Sequence, residues 1–335
     1  MNRTTPAGTK LVICVGHPFH LWRPPEEMKL AVTRRFSEMR VVHLPDYTGL
    51  EPELPDTDIF VGYSIRAHQL AFARKLKWIH STAAGVMQLM YPELRDSGII
   101  VTNASGVHSI PIAEHVIGLL LALARKFPQA FRCQSESRWG QQEIWDSTPH
   151  LLELHGATLL LVGLGAVGRE VARLGRALGM KTHAVTRLGQ GDLTLVEKIY
   201  PVIELRSALR DADYVVLGAP ETRETRHLFS TREFDAMKRS SYFVNVARGS
   251  LVDEVALVAA LETQKIAGAA LDVAEEEPLP ASSPLWKCRN LFITPHLAGA
   301  SEQLWKRQTE LLIANLERWF DGRELLNVVD LNRGY

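Results

Sequence analysis

Apolar positions along this chain follow two spacings that alternate. Short unbroken runs at Leu11–Val15, Val41–Leu44, Ile59–Val61, Trp78–His80 and Ile99–Thr102 read as buried strands. Between them, Pro25–Met39, with Met28, Leu30, Ala31 and Phe36 apolar, and Ala67–Leu76 carry helical periodicity. The proline-rich stretch Pro45–Pro55 reads as a connection. A long apolar helix is expected over Gly106–Lys126, with Ile112, Val116, Leu119, Leu120 and Leu123 on one face. Residues Phe131–Pro149, polar but bearing Trp139 and Trp145, read as a loop wrapping the outside.

Alternation then resumes. Thr158–Val162, Lys181–Val185, Tyr214–Leu217, Tyr242–Val246, Ala267–Leu271 and Leu291–Ile293 read as strands. Val202–Leu209, Thr231–Met237, Glu254–Thr263 and a final stretch of about Ser301–Phe320 read as helices. Strands alternating with helices imply parallel sheets covered on both faces. The pattern predicts two α/β units in tandem. If the last helix returns to the first unit, residues 1–105 with 299–335 form one discontinuous domain and 106–298 the other. A cleft between them, at the carboxyl ends of the strands, is where a ligand is expected.

One junction carries a motif. Gly163, Gly165 and Gly168 follow the strand Thr158–Val162 in the order G-x-G-x-x-G. Val167, Val171, Leu174 and Leu178 then recur at helical spacing until Gly179 ends the helix. Strand, glycine turn, helix and strand make the first half of a dinucleotide-binding unit. The first glycine permits the turn, the second lets backbone approach a pyrophosphate, and the third lets helix pack on strand. Ala166 and Val167 open the helix, whose free N–H groups favour an anion. In such units an acid about 20 residues further on binds the ribose hydroxyls. Here the second strand ends in Thr186-Arg187, a hydroxyl and a cation suited to a 2′-phosphate, which predicts NADP over NAD. Asp192, a few residues on, is the acid that could fold back onto the ribose.

Composition narrows the function classes. In 335 residues, Lys plus Arg and Asp plus Glu both number 38, a formal net charge of zero that leaves no electrostatic footprint for nucleic acid or an anionic membrane. Cys14, Cys133 and Cys288 lie far apart without metal-ligand spacing, as free thiols in a reducing compartment would. The first apolar run is too short for a signal-peptide core or a membrane span. No metal site, membrane or nucleic-acid partner is expected, and a cytoplasmic enzyme is the default.

Three polar clusters end strands of the second unit: Asn245-Val246-Ala247-Arg248-Gly249, Asp272 leading into Glu275-Glu276-Glu277-Pro278, and Thr294-Pro295-His296. Parallel strands bring these ends to the side of the sheet where the glycine turn lies. Arginine, carboxylate and histidine together suit carbonyl reduction. Histidine donates the proton. A carboxylate on its far nitrogen fixes the tautomer, and arginine binds a keto acid and polarises its carbonyl. In the first unit Ser81–Val86 is a small-residue turn that could offer N–H groups to an anion, or simply need small residues to pack.

These runs, with Gly299, Ala113-Glu114-His115, Pro220-Glu221-Thr222 and Thr225–Leu228, resemble the signatures of the D-isomer-specific 2-hydroxyacid dehydrogenases over nearly the whole chain. The resemblance implies Arg248 as substrate-binding arginine, His296 as acid/base and Glu277, chosen for the proline after it, as the histidine's carboxylate partner. It places Asp272 near the nicotinamide, with Pro220, Thr222 and Ala247 also on the cofactor, and assigns the Ala84 and Gly85 amides to the substrate carboxylate. It further implies two Rossmann-like or flavodoxin-like domains and a homodimer formed through the long helix. Met87 stands where many members have aspartate. The expected activity is reduction of a small 2-keto acid, such as glyoxylate or hydroxypyruvate, to a D-2-hydroxy acid. A nucleotide-sensing corepressor on the same fold is the alternative, disfavoured by the lack of long disordered or basic extensions.

Overall fold

A computed structural model describes residues 8–334. The chain divides into two compact units, Met1–His108 with Ala300–Tyr335, and Ser109–Gly299.

The first unit holds β1 (Lys10–Cys14), β2 (Arg40–Leu44), β3 (Ile59–Gly62), β4 (Trp78–Ser81) and β5 (Ile100–Thr102). They form one sheet in the order β2-β1-β3-β4-β5, every pair parallel. Alternate residues face opposite sides. Val12, Phe60, Ile79 and Val101 pack with Leu50, Leu54 and Leu94 on one face. On the other, Leu11, Ile13, Ile59 and Trp78 meet Met28 and Val32 of the helix Glu26–Arg35 and Leu312 and Leu316 of Leu304–Phe320. The sheet begins one residue earlier than its apolar run because Lys10, 3 % exposed, is neutralised by Glu53 and Asp56.

The second unit holds β6 (Thr158–Val162), β7 (Lys181–Thr186), β8 (Lys198–Pro201), β9 (Tyr214–Leu217), β10 (Tyr242–Asn245), β11 (Gly268–Leu271) and β12 (Leu291–Ile293). Their order is β12-β11-β10-β9-β6-β7-β8, again wholly parallel. The order reverses between β6 and β9, the switch point at which open sheets of this kind bind ligands. The helices Ser109–Ala124 and Ala166–Ala177 cover one face through Val116, Leu120, Val171 and Ala172, against Leu159, Leu161, Val216 and Val244. Phe229, Phe234, Leu257 and Leu261 cover the other. Gly179, φ +77°, closes the helix after the glycine turn as expected. The Met180 N–H donates to Gly175 O and the Gly179 N–H to Arg176 O, which satisfies the last helical carbonyls.

Several expectations change. Phe131–Pro149 is not a loop: Phe127–Ser135 and Gln141–Asp146 are helical, but only Cys133 among them is buried, so no apolar stripe marks them. Ala67–Leu76 is helical only over Ala67–Leu70 before breaking into turns. Pro45–Pro55 contains a helical turn, Leu50–Glu53, and Val202–Leu209 begins as a 3-10 turn before the helix Leu205–Asp211. The strand β8 went unforeseen because it is an edge strand ending in Pro201, a position where proline is tolerated. The long helix runs Ser109–Ala124, inside its expected bounds. Among the described residues no helix is long and apolar enough to cross a membrane.

Candidate active site

The three polar clusters emerge from β10, β11 and β12, which are neighbours in the sheet. After β10, the buried Asn245 shapes the turn with both ends of its amide. Its Oδ1 accepts from the Ala247 N–H at 3.0 Å and its Nδ2 donates to Arg248 O at 2.9 Å. The Arg248 side chain is left exposed, its Nη1 donating to Ala247 O at 2.6 Å. Gly249 lets this turn lie against the next: a Cβ there would stand 1.9 Å from Ala274 C. No other residue fits without moving backbone.

After β12, His296 adopts the left-handed region at φ +53°. Its N–H donates to Asp272 O at 2.8 Å, and its Nδ1 lies 2.6 Å from Glu277 Oε2. Glu277 is itself held by the Ala274 N–H, which donates to Oε1 at 3.0 Å. Partial burial pushes the Glu277 carboxyl up. The bonds from His296 and Ala274 and the charge of Arg248 outweigh it and hold the group below the ordinary value of 4.5. A carboxylate can only accept, so Nδ1 carries a proton, and Nε2 has no partner among the described residues. Of the three adjacent glutamates, Glu277 alone meets His296. Glu275 binds Arg226 at 2.6 Å, and Glu276 is exposed.

Asp272, 2 % exposed, closes the same turn. Its Oδ1 accepts from Thr294 Oγ1 at 2.6 Å and from the Leu297 N–H at 2.9 Å, and its Oδ2 from the Ala298 N–H at 2.9 Å. Most of its hydrogen-bonding capacity is therefore spent inside the turn. The Thr294 hydroxyl and His115, whose Nε2 lies 3.0 Å from it, stand in runs quoted from the sequence but carry no role legible there. Nor does Ser250, which donates to Glu221 Oε1 at 2.5 Å and so ties the Pro220–Thr222 loop to the Arg248 turn. Thr225 folds that loop, donating to Pro220 O at 2.8 Å and accepting from the Thr222 N–H at 2.8 Å.

At the switch point the glycines do separate jobs. Gly163 has φ +107°, and a Cβ on it would lie 2.7 Å from Gly218 O. A Cβ on Gly168 would lie 2.2 Å from Gly163 O. At Gly165 nothing stands within 4 Å, and this residue caps Ala166–Ala177 with no side-chain acceptor for the first-turn N–H groups of Ala166, Val167 and Gly168. Open space at the second glycine above free helical N–H groups fits a pyrophosphate. At the end of β7 the Thr186 hydroxyl is engaged: it donates to Gln190 O at 3.0 Å and accepts from the Gln190 N–H at 3.1 Å. Its single proton is not free for a phosphate. Arg187 is exposed, and its charge, with that of Arg223, helps lower the Glu224 carboxyl, after that group's hydrogen bonds to its own backbone and Thr222. Asp192 accepts from the Thr194 N–H and hydroxyl at 2.9 and 2.6 Å and lies 3.4 Å from Arg169 Nη1.

In the first unit, Ala84 and Gly85 follow β4. The carbonyls of Thr82, Ala83 and Ala84 accept from Gln308 Nε2, the Ala104 N–H and Asn103 Nδ2 at 2.7, 3.1 and 2.8 Å. With the carbonyls tied back, the Ala84 and Gly85 N–H groups have no acceptor among the described residues. No group of three or more His, Cys, Asp or Glu among the described residues is placed to hold a metal.

A sequence model of the D-isomer specific 2-hydroxyacid dehydrogenase NAD-binding domain matches residues 117–298, more than half of the chain. The chain belongs to the D-isomer-specific 2-hydroxyacid dehydrogenase family. A glyoxylate reductase of this likeness, from Korarchaeum cryptofilum, is 35 % identical over 79 % of the chain and 80 % of its own length. A D-3-phosphoglycerate dehydrogenase from Methanocaldococcus jannaschii is 31 % identical over 92 % of the chain, which spans only 58 % of that relative's length. Among solved structures, an NADPH-dependent glyoxylate/hydroxypyruvate reductase from Sinorhizobium meliloti, in complex with NADP and sulfate, superposes with a TM-score of 0.82. It is 25 % identical and covers 98 % of this chain and 100 % of its own. The family's NAD-binding domain thus coincides with the seven-stranded sheet, glycine turn and His296–Glu277 pair of the second unit.

Proposed function

We propose that the protein reduces a small 2-keto acid of the glyoxylate or hydroxypyruvate kind to a D-2-hydroxy acid, with NADPH preferred over NADH. The observation that carries this reading is the 2.6 Å pair of His296 and Glu277, with Nε2 left open and the Arg248 charge acting on the same carboxylate. A bound nicotinamide cofactor supplies the hydride to the carbonyl carbon. The residues of the chain do the rest. Arg248 binds the substrate carboxylate and polarises the carbonyl. His296 donates the Nε2 proton to the oxygen as negative charge develops on it. Glu277 keeps the Nδ1 proton in place and stabilises the charged ring before transfer. In the oxidative direction the same nitrogen takes the proton back.

The cofactor preference rests on charge. Arg187 and Arg223 are both exposed near Glu224, and the acid nearest in sequence, Asp192, is held by Thr194 and Arg169. Arg187 pairing with a 2′-phosphate is the contact this reading needs. The S. meliloti reductase, solved with NADP, supports it by likeness. The test is turnover of the purified protein on a panel of 2-keto acids with each cofactor, in wild type and Arg187→Ala. Reduction with a higher kcat/KM for NADPH, lost in Arg187→Ala, is expected. No turnover on any 2-keto acid sinks the activity, and a wild type favouring NADH sinks the cofactor assignment.

A further inference from the structure

The turn that carries His296 is held at a second point, from a helix far away in sequence. Thr294, two residues before His296, has one hydroxyl proton and two lone pairs. Its Oγ1 lies 2.6 Å from Asp272 Oδ1 and 3.0 Å from His115 Nε2. Asp272 already accepts backbone N–H groups on both oxygens, from Leu297 and Ala298, so it acts as an acceptor there. The Thr294 proton therefore goes to Asp272. A lone pair then faces His115, which must be the donor. His115 Nε2 and Asp272 Oδ1 are themselves 3.6 Å apart, beyond a hydrogen bond, so the hydroxyl is the link between them. Donation runs one way, from His115 through Thr294 to Asp272.

The residue at the far end of this chain is well anchored. His115 sits in the helix Ser109–Ala124, between Ala113 and Val116, both fully buried. Its side chain is 23 % exposed. Asp272 in turn accepts three donors from residues 294–298, and its backbone carbonyl accepts the His296 N–H. That closes the turn around a non-glycine residue at φ +53°, a strained conformation that persists only when the surroundings over-determine it. Removing the first donor leaves the Thr294 hydroxyl free to rotate and Asp272 Oδ1 short of a partner.

We propose that His115 is a positioning residue for the His296 turn, acting through the Thr294 hydroxyl, with its ring proton on Nε2. The inference rests on the reading of His296 as proton donor. It adds that the angle at which Nε2 meets the substrate oxygen is set from the helix Ser109–Ala124. A misplacement of about 1 Å at a reacting group costs roughly 10²-fold in rate, so a looser turn is read most directly in the proton-transfer step.

The test uses the full chain and a substrate found by the 2-keto acid panel. Thr294→Val keeps the shape and removes the hydroxyl; Thr294→Ser keeps the hydroxyl. His115→Gln keeps a donor near the Nε2 position; His115→Leu does not. Thr294→Val and His115→Leu are expected to lower kcat about tenfold or more, by partial misplacement. The solvent deuterium isotope effect should grow while the KM for the dinucleotide holds. Thr294→Ser and His115→Gln should stay near wild type. Wild-type kcat and isotope effect in Thr294→Val, or equal loss in His115→Gln and His115→Leu, overturns the proposal. A ring ¹⁵N spectrum of the ligand-free protein decides the donor direction without turnover. The signal lost in His115→Gln should belong to the Nε2–H tautomer, and an Nδ1–H tautomer overturns the proposal. His296→Ala separates the two failures: if it turns over like wild type, the reading of the site is wrong, whereas its inactivity beside an unperturbed Thr294→Val condemns only the His115 link.

Discussion

Replacing Gly249 with alanine tests whether the two turns that hold the proposed chemistry are packed as tightly as their backbones indicate. The added Cβ would stand 1.9 Å from Ala274 C, 2.1 Å from Ala274 O and 2.2 Å from Glu275 N. All three are backbone atoms, so no side-chain end can swing away. Carbon atoms pack at about 3.5–4.0 Å, so one segment must retreat by roughly 1.5 Å or more. The Arg248 turn is pinned by the buried Asn245 amide. The opposite segment, exposed at Glu275, is held at its backbone by one N–H bond each to the side chains of Glu277 and Glu254 and by the Glu275–Arg226 ion pair at the surface, so it is the side expected to yield. It carries Glu277, whose Oε2 must stay 2.6 Å from His296 Nδ1. Overpacking of this kind costs about 1–3 kcal/mol. For a unit of this size each kcal/mol lowers Tm by about 2–4 °C, which gives a fall of roughly 2–12 °C. Displacement of the pair by about 1 Å costs about 10²-fold in kcat/KM. Thermal unfolding by circular dichroism and steady-state reduction of the best 2-keto acid measure the two effects. A variant with wild-type Tm and wild-type kcat/KM would refute the packing argument, and a large fall in Tm with kcat/KM intact would show that Glu277 does not follow the loop.

Other substitutions separate the roles further. His296→Ala should lower kcat by ~10²–10⁴-fold with modest change in KM, whereas Arg248→Ala should also raise KM because it binds the ground-state carboxylate; near-wild-type turnover in His296→Ala ends the assignment. The Glu277 carboxyl is held below its ordinary value of 4.5, so its pair with His296 persists as pH falls until that group protonates, and reduction should slow there. Glu277→Gln, which leaves Nδ1 without an anionic acceptor, should lower kcat and remove that acid limb; a loss in Glu276→Gln and none in Glu277→Gln would show the wrong carboxylate was assigned. Gly118, exposed in the helix Ser109–Ala124 with nothing within 4 Å of a Cβ, should gain about 0.5–1 kcal/mol as alanine, and a lower Tm would contradict this.

How much of this could be read beforehand depends on what each element buries. Strands such as β6 and β10 announce themselves because nearly every residue is buried, so the sequence is continuously apolar. Phe127–Ser135 and Gln141–Asp146 do not, because helices with one buried residue or none carry no stripe. Arg248 and His296 were legible as candidates because each lies just past a strand whose end is fixed by its apolar run, whereas Glu277 stands further out in the loop after β11. The choice of Glu277 among three glutamates came from family likeness, and geometry supplies its physical basis in the bond to His296. The Thr186 hydroxyl looked available in sequence and is consumed by Gln190, four residues on, because local turns recruit hydroxyls that periodicity cannot see. His115 and Thr294 are 179 positions apart, and no local rule joins them.

Two close backbone approaches along the carboxyl edge of the second sheet have opposite consequences. Near β6, Gly163 and Gly168 press the turn against Gly218 and against itself, which leaves open space at Gly165 above the helix start. Near β10, Gly249 presses the Arg248 turn into Ala274 and leaves no space at all. The first arrangement leaves open space above free helical N–H groups, where the proposed reading seats a cofactor's phosphates, and the second removes the freedom of the turn that carries Arg248. Asn245 and Asp272, both buried, complete the second by spending their hydrogen bonds within the turns, Asn245 on backbone and Asp272 on two backbone N–H groups and the Thr294 hydroxyl. Buried polar groups satisfied in this way add rigidity, since breaking any one of them strands a partner at about 1–3 kcal/mol. Arg248 and His296 therefore stand exposed on fixed backbone, so that under the proposed function their terminal atoms, rather than the loops that carry them, move to meet a substrate.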